Sequence, residues 1–180
     1  MNVNDVQGWF GEGEMNCLRP YVQAIPEKGL LVEIGTFHGK STLFFHQTNP
    51  NIYVLTNDIC SQEGIGTQEN QTSISTIIPE HIDYAVVNEG NIFQVRGSSH
   101  DVVKTFNWPI DFLFIDSEHS HKDTLDTLNE WARFVKPGHY IGMHDYGTAF
   151  PGVESGIREY MKTHNVSIVE TVSNLAILKV

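Results

Sequence analysis

The sequence predicts an α/β fold built on a mostly parallel sheet, and three observations support this prediction. Short apolar segments that suit buried strands alternate with segments whose apolar residues follow helical spacing. One such strand, residues 30–34, runs directly into a glycine turn and the start of a helix. The last two apolar segments, 167–169 and 175–180, are joined by a short turn, so we expect an antiparallel hairpin to close the sheet.

The remaining elements follow from apolar spacing and from the positions of proline and glycine. In chain order we expect one or two short helices over 1–28 as an N-terminal cover, a helix at 41–47, a strand at 52–55, a helix near 74–78, strands at 84–87, 92–96 and 111–116, a helix at 122–134, a strand at 140–143 and a helix at 153–163. We find no internal repeat and no linker. The prediction is therefore a single domain over residues 1–180.

The composition limits the classes of partner and the compartment. A formal net charge of -11 over 180 residues argues against nucleic acid or an anionic membrane surface as the main partner, and favours a small molecule. Cys17 and Cys60 have no metal-type spacing, and no secretory signal or membrane-spanning run is visible. We therefore expect a cytoplasmic protein. The sequence leaves open whether it forms a homo-oligomer.

The stretch 31–42, L-V-E-I-G-T-F-H-G-K-S-T, is the most informative part of the chain. Glycine lets the backbone approach a ligand closely, and the start of the following helix offers unpaired N–H groups to it. The spacing is G-x-x-x-G rather than the dinucleotide pattern G-x-G-x-x-G, which argues against NAD. The alternative is a strand-to-helix turn that needs glycine only for its geometry.

Polar residues follow several predicted strands at their carboxyl ends. Asp58 ends the second strand, where a carboxylate can hold ribose hydroxyls, although an ordinary turn aspartate would look the same. Asp116 ends the fourth strand, and His144 and Asp145 end the fifth, so we expect these three side chains to converge. Two carboxylates and an imidazole suit Mg²⁺, Mn²⁺ or Fe²⁺. Alternatively, His144 and Asp145 form a strand-end pair that hydrogen-bonds a loop.

The segment E-I-G-T-F-H-G-K-S, residues 33–41, resembles the first motif of class I S-adenosylmethionine-dependent methyltransferases. Among them it is most similar to the metal-dependent O-methyltransferases of the catechol and caffeoyl-CoA type. The resemblance implies a Rossmann-like seven-stranded methyltransferase sheet, mostly parallel with a C-terminal antiparallel hairpin. The cofactor contacts that it implies are Glu33, Gly35, Thr36, Phe37, Gly39, Ser41, Asp58, Ser99, His100, Asp116 and Ser117.

The same resemblance implies roles for the residues after the fourth and fifth strands. In catechol-type enzymes an aspartate and an acid–amide pair hold Mg²⁺ there, and Asp116 and the pair His144–Asp145 match these positions, with histidine replacing an acid. His119 stands where those enzymes carry the lysine that removes the hydroxyl proton. The D-x-x-H and H-D motifs also resemble sugar O-methyltransferases of macrolide biosynthesis, whose base is a histidine. This resemblance covers roughly residues 31–146.

The function implied is transfer of a methyl group from S-adenosylmethionine to a hydroxyl of a small molecule, a sugar or a catechol-like ring. The reaction would need a divalent metal, for which Mg²⁺ is the first candidate. Two alternatives stay open. Similar chains include a group labelled cephalosporin hydroxylase-like, in which the same side chains would hold Fe²⁺, although the usual H-x-D spacing is missing. The short N-terminal segment also allows a non-catalytic S-adenosylmethionine-binding module, and the sequence does not show what covers the substrate.

Overall fold

The structure, a computed structural model, describes residues 2–59 and 91–180. Within these ranges the strands are β1 Leu30–Ile34, β2 Tyr53–Asp58, β3 Ile92–Arg96, β4 Ile110–Ile115, β5 Val135–Met143, β6 Ser167–Val172 and β7 Leu175–Lys179. The α-helices of the same ranges are α1 Glu12–Gln23, α2 Lys40–Thr48, α3 Ser99–Val102, α4 His121–Trp131 and α5 Pro151–Thr163. The helix predicted near 74–78 and the strand predicted at 84–87 lie outside the described residues.

These strands form one seven-stranded sheet in the order β3-β2-β1-β4-β5-β7-β6. The first five strands of that order are parallel to one another, whereas β7 lies antiparallel to both β5 and β6. The predicted α/β fold, mostly parallel with an antiparallel C-terminal hairpin, is therefore confirmed.

Both faces of the sheet are covered, which explains why its central strands read as continuous apolar runs. Phe112 and Phe114 of β4 belong to the core on the side of α1 and α2. Leu113 and Ile115 of the same strand belong to the opposite core, together with Trp131 and other residues of α4 and α5. Successive side chains of a strand point to opposite faces, so one strand contributes to both cores.

The start of β5 differs from the prediction. The sequence predicts that Lys136, Pro137 and Gly138 separate a helix from a strand at 140–143, but in the structure these residues lie inside β5. Val135 pairs with β4, and a register shift follows between the two strands. The N–H of Gly138, at φ +82, donates to the carbonyl of Val180 at 2.7 Å, so backbone pairing continues through the glycine.

The segment before β1 is helical and lies on the sheet. A 3-10 turn, Val3–Asp5, precedes α1, and Leu18 and Val22 of α1 are fully buried. No helix among residues 2–59 and 91–180 is both long and apolar enough to cross a membrane.

The register of the sheet brings the carboxyl ends of four strands to one edge. Ile34 of β1 pairs with Asn57 of β2 and with Ile115 of β4, and Ile115 in turn pairs with Met143 of β5. The residues that follow these positions are therefore neighbours in space, although they are far apart in the sequence.

Candidate functional site

The turn after β1 lies directly against the chain that leaves β4. Gly35 has φ +96, and a Cβ atom there would be 1.8 Å from the carbonyl oxygen of Asp116. The N–H of Gly35 donates to Asn57 at 2.8 Å, and the N–H of Asp116 donates to Ile34 at 2.8 Å. Glycine is required here for both its backbone conformation and its missing side chain.

Asp58 ties the end of β2 to this turn. Its Oδ2 accepts hydrogen bonds from the N–H groups of Thr36 and Phe37, each at 2.9 Å. Gly39, at φ 82, then leads into α2, whose first turn has no side-chain cap. Uncapped N–H groups at a helix start favour an anionic or polar ligand. The turn therefore contacts the end of β2 directly, which brings together five of the predicted cofactor-binding residues: Gly35, Thr36, Phe37, Gly39 and Asp58.

Glu33 lies beneath the turn and is fully buried. The hydroxyls of Ser41, Thr42 and Thr56 donate to its carboxylate, the last at 2.7 Å. Burial raises the pKa of Glu33 to about 7, although the three hydrogen bonds counteract part of that rise. Glu33 and Ser41 therefore join β1 to the start of α2, and their contact with a cofactor stays a prediction.

A cluster formed by Asp116, His144 and Asp145 lies at the ends of β4 and β5. One potential ligand atom from each residue lies within 4.8 Å of the others. His144 Nδ1 is 3.0 Å from Asp116 Oδ1 and 3.3 Å from Asp145 Oδ2. Asp145 adopts φ 56, which aspartate tolerates, and its Oδ1 accepts a hydrogen bond from Asn174 at 3.0 Å. The three predicted ligands are thus brought together by the strand ends.

The cluster has the donor set of a divalent-metal site. Burial opposes the charge on His144, which is 4% exposed, but the carboxylates of Asp116, Asp145 and Glu14 outweigh it and raise the pKa of the imidazole. Two carboxylates and one imidazole fit Mg²⁺, Mn²⁺ or Fe²⁺, and the imidazole favours the transition metals. A metal bound at Nδ1 would require loss of the proton there.

His119 lies next to this cluster. Its Nε2 is 2.8 Å from Asp145 Oδ2, and its ring packs against Phe150 with centroids 4.3 Å apart. The hydrogen bond to Asp145 raises the pKa of His119, whose side chain is 41% exposed. Gly152, at the start of α5, allows the helix to approach the carbonyl of His119 closely. The imidazole is therefore oriented and accessible, as a proton acceptor requires.

Ser117 lies between the turn and the cluster. Its backbone N would be 3.2 Å from a Cβ atom placed on Gly35. Its Oγ is buried and finds no hydrogen-bond partner within residues 2–59 and 91–180. A buried hydroxyl without a partner is the kind of group that a polar ligand satisfies. This position fits the predicted cofactor contact of Ser117.

The structure joins His100 to α4. The ring nitrogens of His100 lie 2.6 Å from Glu130 and 3.0 Å from Asp123. Partial burial would lower the pKa of His100, but these two carboxylates raise it. Ser99, beside it, is the first residue of the short helix α3. Contact of Ser99 and His100 with a cofactor stays a prediction.

The N-terminal segment supplies residues that the sequence did not indicate. Glu14, which is 4% exposed, places Oε1 at 3.4 Å from His144 Nε2, and the rings of Phe10 and His144 have centroids 6.2 Å apart. Trp9 stacks on Phe37 of the glycine turn at 5.2 Å. An acid in the first turn of a helix normally reads as a solvent-exposed cap, so no sequence signal linked Glu14 to the site.

The class I methyltransferase fold is defined by a sheet of this strand order, with a glycine turn after β1, an acid at the end of β2 and polar residues after β4 and β5. The chain belongs to the family described as Methyltransferase domain, whose model matches residues 32–146. The prediction of a class I S-adenosylmethionine-dependent methyltransferase is thereby confirmed at the level of family and fold.

Solved structures of similar fold include O-methyltransferases. The O-methyltransferase NovP superposes with a TM-score of 0.71 at 17% identity, covering 94% of this chain and 80% of that chain. The O-methyltransferase from Bacillus cereus, solved in complex with SAH, gives a TM-score of 0.65 at 18% identity, covering 97% of this chain and 84% of that one. At these identities the likeness concerns the fold.

A curated relative is an uncharacterised protein of Acanthamoeba polyphaga mimivirus. It is 27% identical over 121 residues, which cover 64% of this chain and 50% of the relative. The chain thus matches about half the length of that relative.

Proposed function

We propose that this protein is a divalent-metal-dependent O-methyltransferase. It would move a methyl group from S-adenosylmethionine to a hydroxyl of a small molecule, a sugar or a catechol-like ring. The observation that carries the proposal is that Asp116, His144 and Asp145 converge, with His119 hydrogen-bonded to Asp145. The whole of residues 1–180 would act as one domain, with residues 1–28 as its cover.

The methyl donor would bind over the Gly35 turn. Because Gly35 has no side chain, the chain that leaves β4 packs directly against the turn, and the start of α2 offers N–H groups to a ligand. Asp58, whose Oδ2 is fixed by two amides of the turn, would interact with the ribose hydroxyls. Ser117 Oγ would donate to a polar group of the same ligand.

The acceptor would bind at the Asp116–His144–Asp145 cluster. These three side chains would hold the divalent metal, Mg²⁺, Mn²⁺ or Fe²⁺, which supplies charge stabilisation and lowers the pKa of an acceptor hydroxyl. A vicinal pair of hydroxyls, as in a sugar or a catechol, could use both oxygens at such a site. This geometry favours a small hydroxylated acceptor.

His119 would accept the proton of the attacking hydroxyl. Its hydrogen bond to Asp145 and its packing against Phe150 fix the ring, and its exposed side leaves room for an acceptor. S-adenosylmethionine, held over the Gly35 turn, would supply a methyl carbon that its sulfonium already activates; the acceptor oxygen would bond to that carbon, and the donor would leave as a neutral thioether. Most of the rate acceleration would come from orientation, because the methyl donor is already activated.

The test is methyl transfer from isotopically labelled S-adenosylmethionine to a panel of catechols and sugars. Each reaction is run with EDTA and then with Mg²⁺, Mn²⁺ or Fe²⁺ restored. We expect labelled product that disappears with EDTA and returns with metal, and calorimetric binding of S-adenosylmethionine but not NAD. Transfer that is insensitive to EDTA would contradict the metal site. Oxygen uptake with Fe²⁺, without consumption of S-adenosylmethionine, would indicate an oxygenase instead.

A further inference from the structure

We infer that Glu14 is a positioning residue that presents His144 Nδ1 to a divalent metal. The inference rests on the metal site proposed above and adds a residue of α1 to it. Glu14 is far from His144 in the sequence, yet both side chains are buried together under the site.

The two ring nitrogens of His144 face different groups. Nδ1 faces Asp116 and Asp145, whereas Nε2 lies 3.4 Å from Glu14 Oε1. A neutral imidazole that binds metal through Nδ1 must carry its hydrogen on Nε2, and a carboxylate beside Nε2 favours that tautomer. Glu14 is placed where such a carboxylate is needed.

Nε2 of His144 is a buried polar atom. It has no hydrogen-bond partner among the described residues, and the Oε1 of Glu14 lies 3.4 Å from it. Closing the 3.4 Å separation to the usual ~2.9 Å needs a movement of about 0.5 Å. The ring and the carboxylate are therefore poised for a hydrogen bond that a small adjustment at the cluster completes.

Both partners are held in place by their surroundings. Oε2 of Glu14 accepts the N–H of Gly11 at 2.7 Å, which fixes the carboxylate at the start of α1. The rings of Phe10 and Phe114 flank the imidazole, with centroids 6.2 Å and 6.3 Å from it. The contact between Glu14 and His144 therefore does not depend on mobile side chains.

Capping of Gly11 alone does not account for the burial of Glu14. Capping of the Gly11 N–H uses only one carboxylate oxygen. An exposed side chain could provide that oxygen, since Glu12 in the same helical turn is exposed to solvent. Burying a carboxylate costs several kcal/mol unless charged or donor groups compensate. The imidazole of His144 is such a group beside Oε1.

The experiment compares Glu14→Gln with Glu12→Gln, a matched change in the same helical turn. Mn²⁺ affinity is measured by calorimetry with S-adenosylmethionine present. We expect Glu14→Gln to weaken Mn²⁺ binding about 10- to 100-fold, because its amide can turn an N–H toward Nε2 and favour the wrong tautomer. Glu12→Gln should stay within about twofold of the unmodified protein, as expected of an exposed residue outside the metal site.

A second readout uses ¹⁵N spectra of the His144 ring in Mg²⁺-saturated protein. The hydrogen should lie on Nε2, and its resonance should shift in Glu14→Gln. Unchanged Mn²⁺ affinity in that variant would overturn the inference. A ring hydrogen on Nδ1 in the unmodified, Mg²⁺-saturated protein would also overturn it, and that result does not depend on how well the variant folds. If the unmodified protein bound S-adenosylmethionine but no metal, the proposed metal site would fail and the inference with it.

Discussion

Nε2 of His119 lies 2.8 Å from Oδ2 of Asp145, so a single carboxylate connects the predicted base to the predicted metal ligands. The same carboxylate oxygen is 3.3 Å from Nδ1 of His144. A change in the charge or position of either histidine therefore alters the surroundings of the other through Asp145. Proton acceptance by His119 and metal binding would both depend on this shared carboxylate.

Replacing His119 by alanine should remove methyl transfer and leave S-adenosylmethionine binding nearly intact. A positioned proton acceptor typically contributes 10²- to 10⁴-fold, so we expect a loss of that size in kcat. The matched control is His121→Ala, because His121 contacts Ser155 and Glu159 rather than the cluster. Labelled-methyl transfer and calorimetry give the two readouts. Unchanged turnover would exclude His119 as the base.

Metal affinity should rise with pH. The carboxylates around His144 raise its pKa despite burial, so near neutrality a metal at Nδ1 must displace a proton. We expect affinity to increase by up to about tenfold per pH unit between pH 6 and 8.5, with about one proton released. Calorimetry in buffers of different ionisation enthalpy counts that proton. Binding that releases none would show that His144 does not act as a ligand through Nδ1.

Glu33 should make the protein less stable as pH rises through the neutral range. Its pKa is raised from 4.5 to about 7 in the folded protein, chiefly by burial, so between these values the folded state binds more protons than the unfolded one. A shift of this size corresponds to about 3 kcal/mol, present at low pH and lost as pH rises to about 7.

The measurement is urea unfolding of the unmodified protein and of Glu33→Gln at pH 5 and pH 8. Glutamine cannot ionise, so the difference in unfolding free energy between the two proteins should move in favour of the variant as pH rises. Groups that titrate in both proteins cancel in this comparison. A difference that is the same at both pH values would show that Glu33 titrates normally.

Gly35→Ala should disrupt the turn more than an alanine at another glycine with positive φ. Gly138 has φ +82, but a Cβ atom there meets nothing within 4 Å, whereas at Gly35 it collides with Asp116. We expect Gly35→Ala to reduce the unfolding free energy by about 2–3 kcal/mol more than Gly138→Ala, and to weaken cofactor binding. Equal losses would mean that the collision is relieved by backbone movement.

The features that were predictable from the sequence depend on local patterns. Between Asp111 and Asp116 lies a continuous run of four apolar residues, and the glycines at 35 and 39 mark a strand-to-helix turn. Since parallel strands end at one edge of a sheet, the convergence of Asp116 with residues 144 and 145 followed from the strand assignments alone.

The features that were not predictable depend on contacts between distant residues. Lys136, Pro137 and Gly138 look like a turn, but they lie inside β5, because Val135 before them pairs with Ile110 and the N–H of Gly138 donates to the carbonyl of Val180. The approach of Glu14 to His144 depends on how α1 lies on the sheet, which apolar spacing does not specify. Tertiary packing determines both.

The N-terminal segment around Trp9 and Glu14 contacts both halves of the site. Trp9 stacks on Phe37 of the glycine turn, and Glu14 approaches His144 of the cluster. A protease that removed these residues would also expose part of the apolar core, because Phe10 and Met15 are buried there beside residues of the sheet. The stability of this part of the core and the geometry of both the glycine turn and the cluster therefore depend on the same short segment.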